Sequence, residues 1–109
     1  MAKLEKTISG DFRSILTKIE NGILNGSVTA SLEDSSDFRS GDARCSVRVF
    51  ERYSYMGSNR VSLSVTVFQN GAEPVRISAI TSGGSQAMFF KVNTIGEETF
   101  LEKLQEILE

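Results

Sequence analysis

Between Ala43 and Val92 the chain carries four runs in which β-branched and aromatic residues alternate with polar ones, with turn residues between them. A period of two sends successive side chains to opposite faces, so these runs commit the middle of the chain to an antiparallel sheet with one face buried. The first run, Ala43 to Tyr55, sets Cys45, Val47, Val49, Tyr53 and Tyr55 against Arg44, Ser46, Arg48, Phe50 and Arg52, and the first set is read as the core face. After a turn at Met56 to Asn59, the run Arg60 to Gln69 points Val61, Leu63, Val65 and Val67 one way and Ser62, Ser64, Thr66 and Phe68 the other. Asn70-Gly71 is the strongest hairpin signal, because a type I′ turn needs positive φ at both central residues. Pro74 opens the next run, where its missing N–H is tolerated. Val75 to Ser82 offers Val75, Ile77 and Ala79 to the core and Arg76, Ser78 and Ile80 to the opposite face. Thr81-Ser82-Gly83-Gly84-Ser85 breaks the sheet, and Ala87 to Val92, with Met88, Phe89 and Phe90, resumes it.

The flanks follow a different period. Lys3 to Ser9 reads as a short edge strand, with Leu4, Lys6 and Ile8 on one side and Glu5 and Thr7 on the other. Phe12, Ile15, Leu16, Ile19 and Ile23 are spaced three and four apart, which lays an apolar stripe along a helix capped by Ser9 or Asp11. Asn21, Gly22, Asn25 and Gly26 end it near Leu24. Ser27 to Glu33 reads as a half-buried strand, with Val28, Ala30 and Leu32 on its apolar side, and Asp34 to Asp42 as a polar loop in which Phe38 alone has reason to pack. At the end of the chain Thr94 and Glu97 form a capping box, followed by the stripe Phe100, Leu101, Leu104, Ile107 and Leu108 of a closing helix.

At 109 residues this is one domain, residues 1–109. A net charge of −2 gives no basic footprint for bulk nucleic-acid or membrane binding. There is no histidine and only one cysteine, Cys45, so the commonest general base, an internal disulfide and a cysteine zinc site are all excluded. No catalytic or cofactor motif stands out. The acidic residues Asp34, Asp37 and Asp42 lack calcium-loop spacing, so no metal is expected. The N-terminus has no apolar stretch of signal-peptide length and no run is long enough to span a bilayer, which points to a cytoplasmic protein.

Two amphipathic helices and one apolar sheet face describe an α+β domain: an antiparallel sheet of about five to six strands with both helices packed on one face. The order strand, helix, several antiparallel strands, helix resembles the helix-grip (TBP-like, Bet v-like) arrangement. At residue level ILNGSVTASLEDSSDF, ARCSVRVFERYSY and ITSGGSQAMFFKVNT resemble a family of small bacterial proteins known only as a domain of unknown function. The first resemblance is one of topology and the second of family, and neither implies an activity.

Three candidate sites follow. The face opposite the helices collects Arg44, Arg48, Arg52 and Arg76 with Phe50, Phe68 and Ile80 among hydroxyls. It reads as an ordinary polar face, a homodimer interface, or a platform for single-stranded nucleic acid. Phe12, Glu51, Tyr53, Phe90 and Phe100 would line a pocket for a small apolar ligand between helices and sheet, Glu51 being its polar end. Ser82, Gly83, Gly84 and Ser85 would present backbone N–H groups to an anion. Cys45, on the core face, is expected to be inert. The overall expectation is a non-enzymatic binding module without a cofactor, self-associating through its open sheet face.

Overall fold

The computed structural model describes residues 2–53, 60–83 and 100–109. The elements run β1 (Ala2–Ile8), α1 (Phe12–Gly26), β2 (Ser31–Ser40), β3 (Ala43–Tyr53), β4 (Arg60–Asn70) and β5 (Val75–Gly83), and residues 100–108 form a second helix, α2. The five strands make one antiparallel sheet in the order β1-β5-β4-β3-β2. The domain is therefore α+β, with β4 in the middle and β1 and β2 at the edges. The turn 56–59, the strand expected at 87–92 and the capping box at Thr94 and Glu97 lie outside the described residues.

Helix α1 starts where Asp11 accepts a hydrogen bond from Ser14 N at 2.9 Å, satisfying one of the free amides of the first turn. Its buried stripe is Phe12, Leu16, Ile19 and Ile23. The helix runs two residues past the expected end, because Gly22 serves packing instead of termination. A Cβ there would sit 2.6 Å from Ile107 of α2, so glycine permits the two helices to approach. Phe100, Leu101 and Leu104 of α2 are buried, with Ile107 and Leu108 packed against them. They form one core with α1, Phe50 of β3, Val61, Leu63, Val65 and Val67 of β4, and Val75, Ile77 and Ala79 of β5.

Four expectations need correction. Asp34 to Asp42 is no loop: residues 31–40 form edge strand β2, hairpinned onto β3 through Gly41 (φ 58°) and Asp42. An edge strand with little burial tolerates serine and aspartate throughout, and those charges discourage pairing with another chain. The strand expected at Ser27 to Glu33 shrinks accordingly, and Val28 is fully exposed. A bulge between Leu32 and Asp34 changes which residues face inward along β2. Second, Asn70-Gly71 belongs to a longer connection. The turn closes from Glu73 N to Asn70 O at 3.1 Å, with Gly71 at φ 59°.

Third, the sheet does not break at Thr81. Val61, Ser62 and Leu63 of β4 continue to pair with Gly83, Ser82 and Thr81, and the fully buried Thr81 bonds through its hydroxyl to both Ala2 N and Ala2 O at 3.3 Å. Ser82 and Gly83 are thus strand residues, while Gly84 and Ser85 lie outside the described residues.

The fourth correction concerns β3. Phe50 opposes Leu63, Arg48 opposes Val65, Ser46 opposes Val67 and Arg52 opposes Val61. Directly opposed residues share a face, so Arg44, Arg48, Phe50 and Arg52 lie on the buried side and Cys45, Val47, Val49, Glu51 and Tyr53 on the open side. Phe50 is completely buried.

Candidate interaction face

The side of the sheet away from the core is assembled in cross-strand rows. Phe38, Cys45, Phe68, Arg76 and Thr7 form one row; Ser36, Val47, Thr66, Ser78 and Glu5 the next; Asp34, Val49, Ser64, Ile80 and Lys3 the third. Each row has an apolar residue on β3 and a polar or charged end on β1, while its β2 end is Phe38, Ser36 or Asp34 in turn. Phe38 is 62% exposed and Ile80 41%. Cys45, Val47, Val49 and Phe68 are half-buried by their neighbours alone, and among the described residues no element covers them. A shallow groove of about 480 Å³ runs over this side beside Thr66, Phe68, Arg76 and Ser78.

The far end of the face is polar. Arg60 donates to Glu51 Oε1 at 2.5 Å, lies 3.4 Å from Glu33 Oε2, and sits 5.3 Å above the Tyr53 ring. Arg60 so ties β4 to β3 and β2. Glu51 is consequently an ion-paired residue of the open side and not the end of an internal pocket.

Of the interface residues expected from the sequence, Phe68, Arg76 and Ile80 are where they were placed. Arg44, Arg48, Phe50 and Arg52 point the opposite way, and each arginine has an occupation there. Arg44 lies 4.5 Å over the Phe12 ring and Arg52 4.3 Å over the Phe100 ring, close enough for cation–π attraction. Arg48, 7% exposed, donates from Nε to Glu20 Oε2 of α1 at 2.7 Å, and from Nη1 to Asp37 Oδ1 and Val47 O at 3.0 Å. Ser46 donates to the same Asp37 oxygen at 2.6 Å. This hydrogen bond, followed by the Arg48 guanidinium, holds the Asp37 carboxyl below its ordinary range. Long arginine stems cover apolar surface while their heads reach a ring or carboxylate.

The expected pocket residues do not converge. Phe12 and Phe100 are packed in the core, at 3% and 1% exposure; Glu51 and Tyr53 are across the sheet from them; Phe90 lies outside the described residues. Asp34 and Asp37 sit on opposite sides of β2, since one opposes Val49 and the other Ser46. Sequence reasoning missed Phe38, Val47 and Val49 as members of the open face. The Gly41-Asp42 pair between two runs was the available signal for the β2–β3 hairpin.

The model of a family of unknown function (DUF6054) matches residues 1–109. No curated protein and no solved structure matches the chain. Among the described residues no helix is long and apolar enough to cross a membrane.

Proposed function

Because the chain belongs to a family of unknown function, its geometry is the starting point, and we propose that it is a non-enzymatic interaction module whose open sheet face packs against a second copy of itself. The helices form one layer over the buried side, in the helix-grip manner, and leave the other side to the partner. The observation that carries this reading is the row structure of the open face. Asp34 and Lys3 end the same row at opposite edges, with Val49 and Ile80 inside them and Ser64 of β4 between. A two-fold axis along β4 sets Lys3 against the partner's Asp34, Ile80 against the partner's Val49, and Phe68 beside its own symmetry mate. In this row the face is self-complementary in charge and in apolar content, as an isologous contact requires.

The area is sufficient. Five strands about 4.8 Å apart and some nine residues long at about 3.3 Å each offer about 700 Å² per copy, against roughly 800 Å² per partner in a standard interface. Small hydroxyl residues at Ser64, Thr66 and Ser78 permit two sheets to close to about 10 Å. In a reducing cytoplasm Cys45 stays a thiol within this contact.

Sedimentation velocity tests the proposal. Wild-type protein should sediment as a dimer at micromolar concentration, and Phe68→Glu or Ile80→Glu should shift it to monomer with unchanged far-UV circular dichroism, weakening association about thirtyfold or more. Labelling of Cys45 by a thiol reagent should slow as protein concentration rises. A wild-type monomer at about 100 μM, above the dissociation constant of a specific contact of this size, overturns it.

A further inference from the structure

We propose a second site, its arginines on the helix side of the sheet: Arg13, Arg39 and Arg44 bind the phosphate group of a small organic phosphate. The three arginines line one recess of about 250 Å³ between the start of α1 and the β2–β3 hairpin. None has an ion-pair partner among the described residues. Their arrangement is unfavourable for the protein alone. Arg39 and Arg44 are directly opposed across the β2–β3 ladder, where like charges repel. Arg13 stands in the first turn of α1, which has no acidic residue and whose free amides disfavour a cation.

The acids nearby relieve this only in part, Asp11 attracting Arg44 and Asp37 attracting Arg13 through space. Asp37, inside the recess, is engaged by Ser46 and Arg48. Asp11 caps the helix through Ser14 N. Asp42 lines a neighbouring recess of about 270 Å³ that Arg39 and Arg44 share. A dianion held by three guanidinium groups removes their mutual repulsion and uses the planar fork for paired hydrogen bonds, which suits phosphate better than a monovalent ion. Phe38 borders the same recess from the other side of edge strand β2 and is 62% exposed, so an organic group that reaches over that edge meets an aromatic side chain. A flat ring such as a nucleobase is the matching chemistry.

Calorimetric titration at constant ionic strength, with inorganic phosphate and adenosine monophosphate as probes and chloride as control, tests the site. Both probes should compete for one saturable site, the nucleotide binding more tightly. Arg44 packs on Phe12, so the diagnostic variants are the exposed Arg13→Gln and Arg39→Gln. Each should weaken phosphate about tenfold, the loss of one charge-assisted pair, with a melting temperature no lower than that of the wild type. Arg76→Gln on the open sheet face should have no effect. Phe38→Ala should weaken the nucleotide and leave inorganic phosphate alone. Phosphate binding no better than chloride, or binding indifferent to Arg13→Gln and Arg39→Gln, overturns the site. A hexanucleotide that binds far more tightly than the monophosphate overturns the small-molecule source. Because Phe68→Glu and Ile80→Glu do not touch the recess, failure here is distinguishable from failure of the dimer.

Discussion

Strands β3 and β4 lie side by side, span 11 residues each and present opposite chemistry to the same core. β4 sends in Val61, Leu63, Val65 and Val67, all with no exposed surface. β3 sends in Arg44, Ser46, Arg48, Phe50 and Arg52, and leaves its valines outside. The difference comes from position in the sheet. β4 is central, beneath the core, where only apolar side chains avoid a desolvation cost. β3 is next to the polar edge strand, where a guanidinium can reach past the covered zone to a ring or to Glu20 and Asp37. Burial in this sheet therefore grades across the strands as well as between its two faces.

The largest test of that grading is Phe50→Ala. Phe50 is the one large apolar residue of β3 on the buried side, and its truncation should cost about 3–5 kcal/mol in urea unfolding, comparable to about 2–5 kcal/mol for Leu104→Ala in α2. A loss under about 1 kcal/mol at Phe50 would reverse the assigned phase of β3. Next come paired valine changes at low protein concentration. Val65→Thr places an unmatched hydroxyl in the core and should cost about 1–3 kcal/mol, whereas Val47→Thr on the open side of β3 should stay within about 0.5 kcal/mol. Equal losses would abolish the distinction between the two strands.

Arg48→Met sharpens the comparison from the charged side. It strands Glu20 and Asp37, whose side chains keep 28% and 62% exposure, so the loss should be about 1–2 kcal/mol and less than for a fully buried pair. Adding Glu20→Gln should return part of it. The smallest effect is on pH dependence. Asp37 is held below its ordinary 3.8 by Ser46 and then Arg48. Its contribution is present in full above the unfolded value and is lost as pH falls through the folded one. The stability gap between wild type and Asp37→Asn should be constant above about pH 4 and narrow below it; a gap that widens on acidification would show the pairing to be wrong.

Legibility in the sequence tracks the same grading. β4, the stripe of α1, the stripe of α2 and β5 as far as Ala79 could be read because their buried positions are uniformly apolar; β5 was lost at Thr81, which is buried and polar. The three β5 and β4 residues placed on the open face, Phe68, Arg76 and Ile80, were legible for the same reason. β3 misled because Cys45, Val47 and Val49 outnumber Phe50, and counting apolar residues ignores how far an arginine stem reaches. Pairing parity held the correction. Antiparallel strands joined by an even loop, as in a turn at Met56 to Asn59, oppose odd positions of one to even positions of the other. Odd β4 residues in the core therefore require even β3 residues beside them. β2 was illegible for a different reason: an edge strand with almost no buried side carries no period, and only Gly41-Asp42 marked its end.

The bond between Thr81 and Ala2 also sets an order of events during synthesis. β1 precedes its partner β5 by 79 residues at that contact, so it cannot pair until the meander between them has been made. The meander from β2 to β5 is built from neighbouring hairpins and can assemble as it appears, since local contacts close quickly. Until β1 docks, β5 presents a bare row of amides and carbonyls, a template for any other strand in reach. The seven-residue β1 is in this sense the last strand placed, and its arrival covers the edge of β5 and completes the sheet.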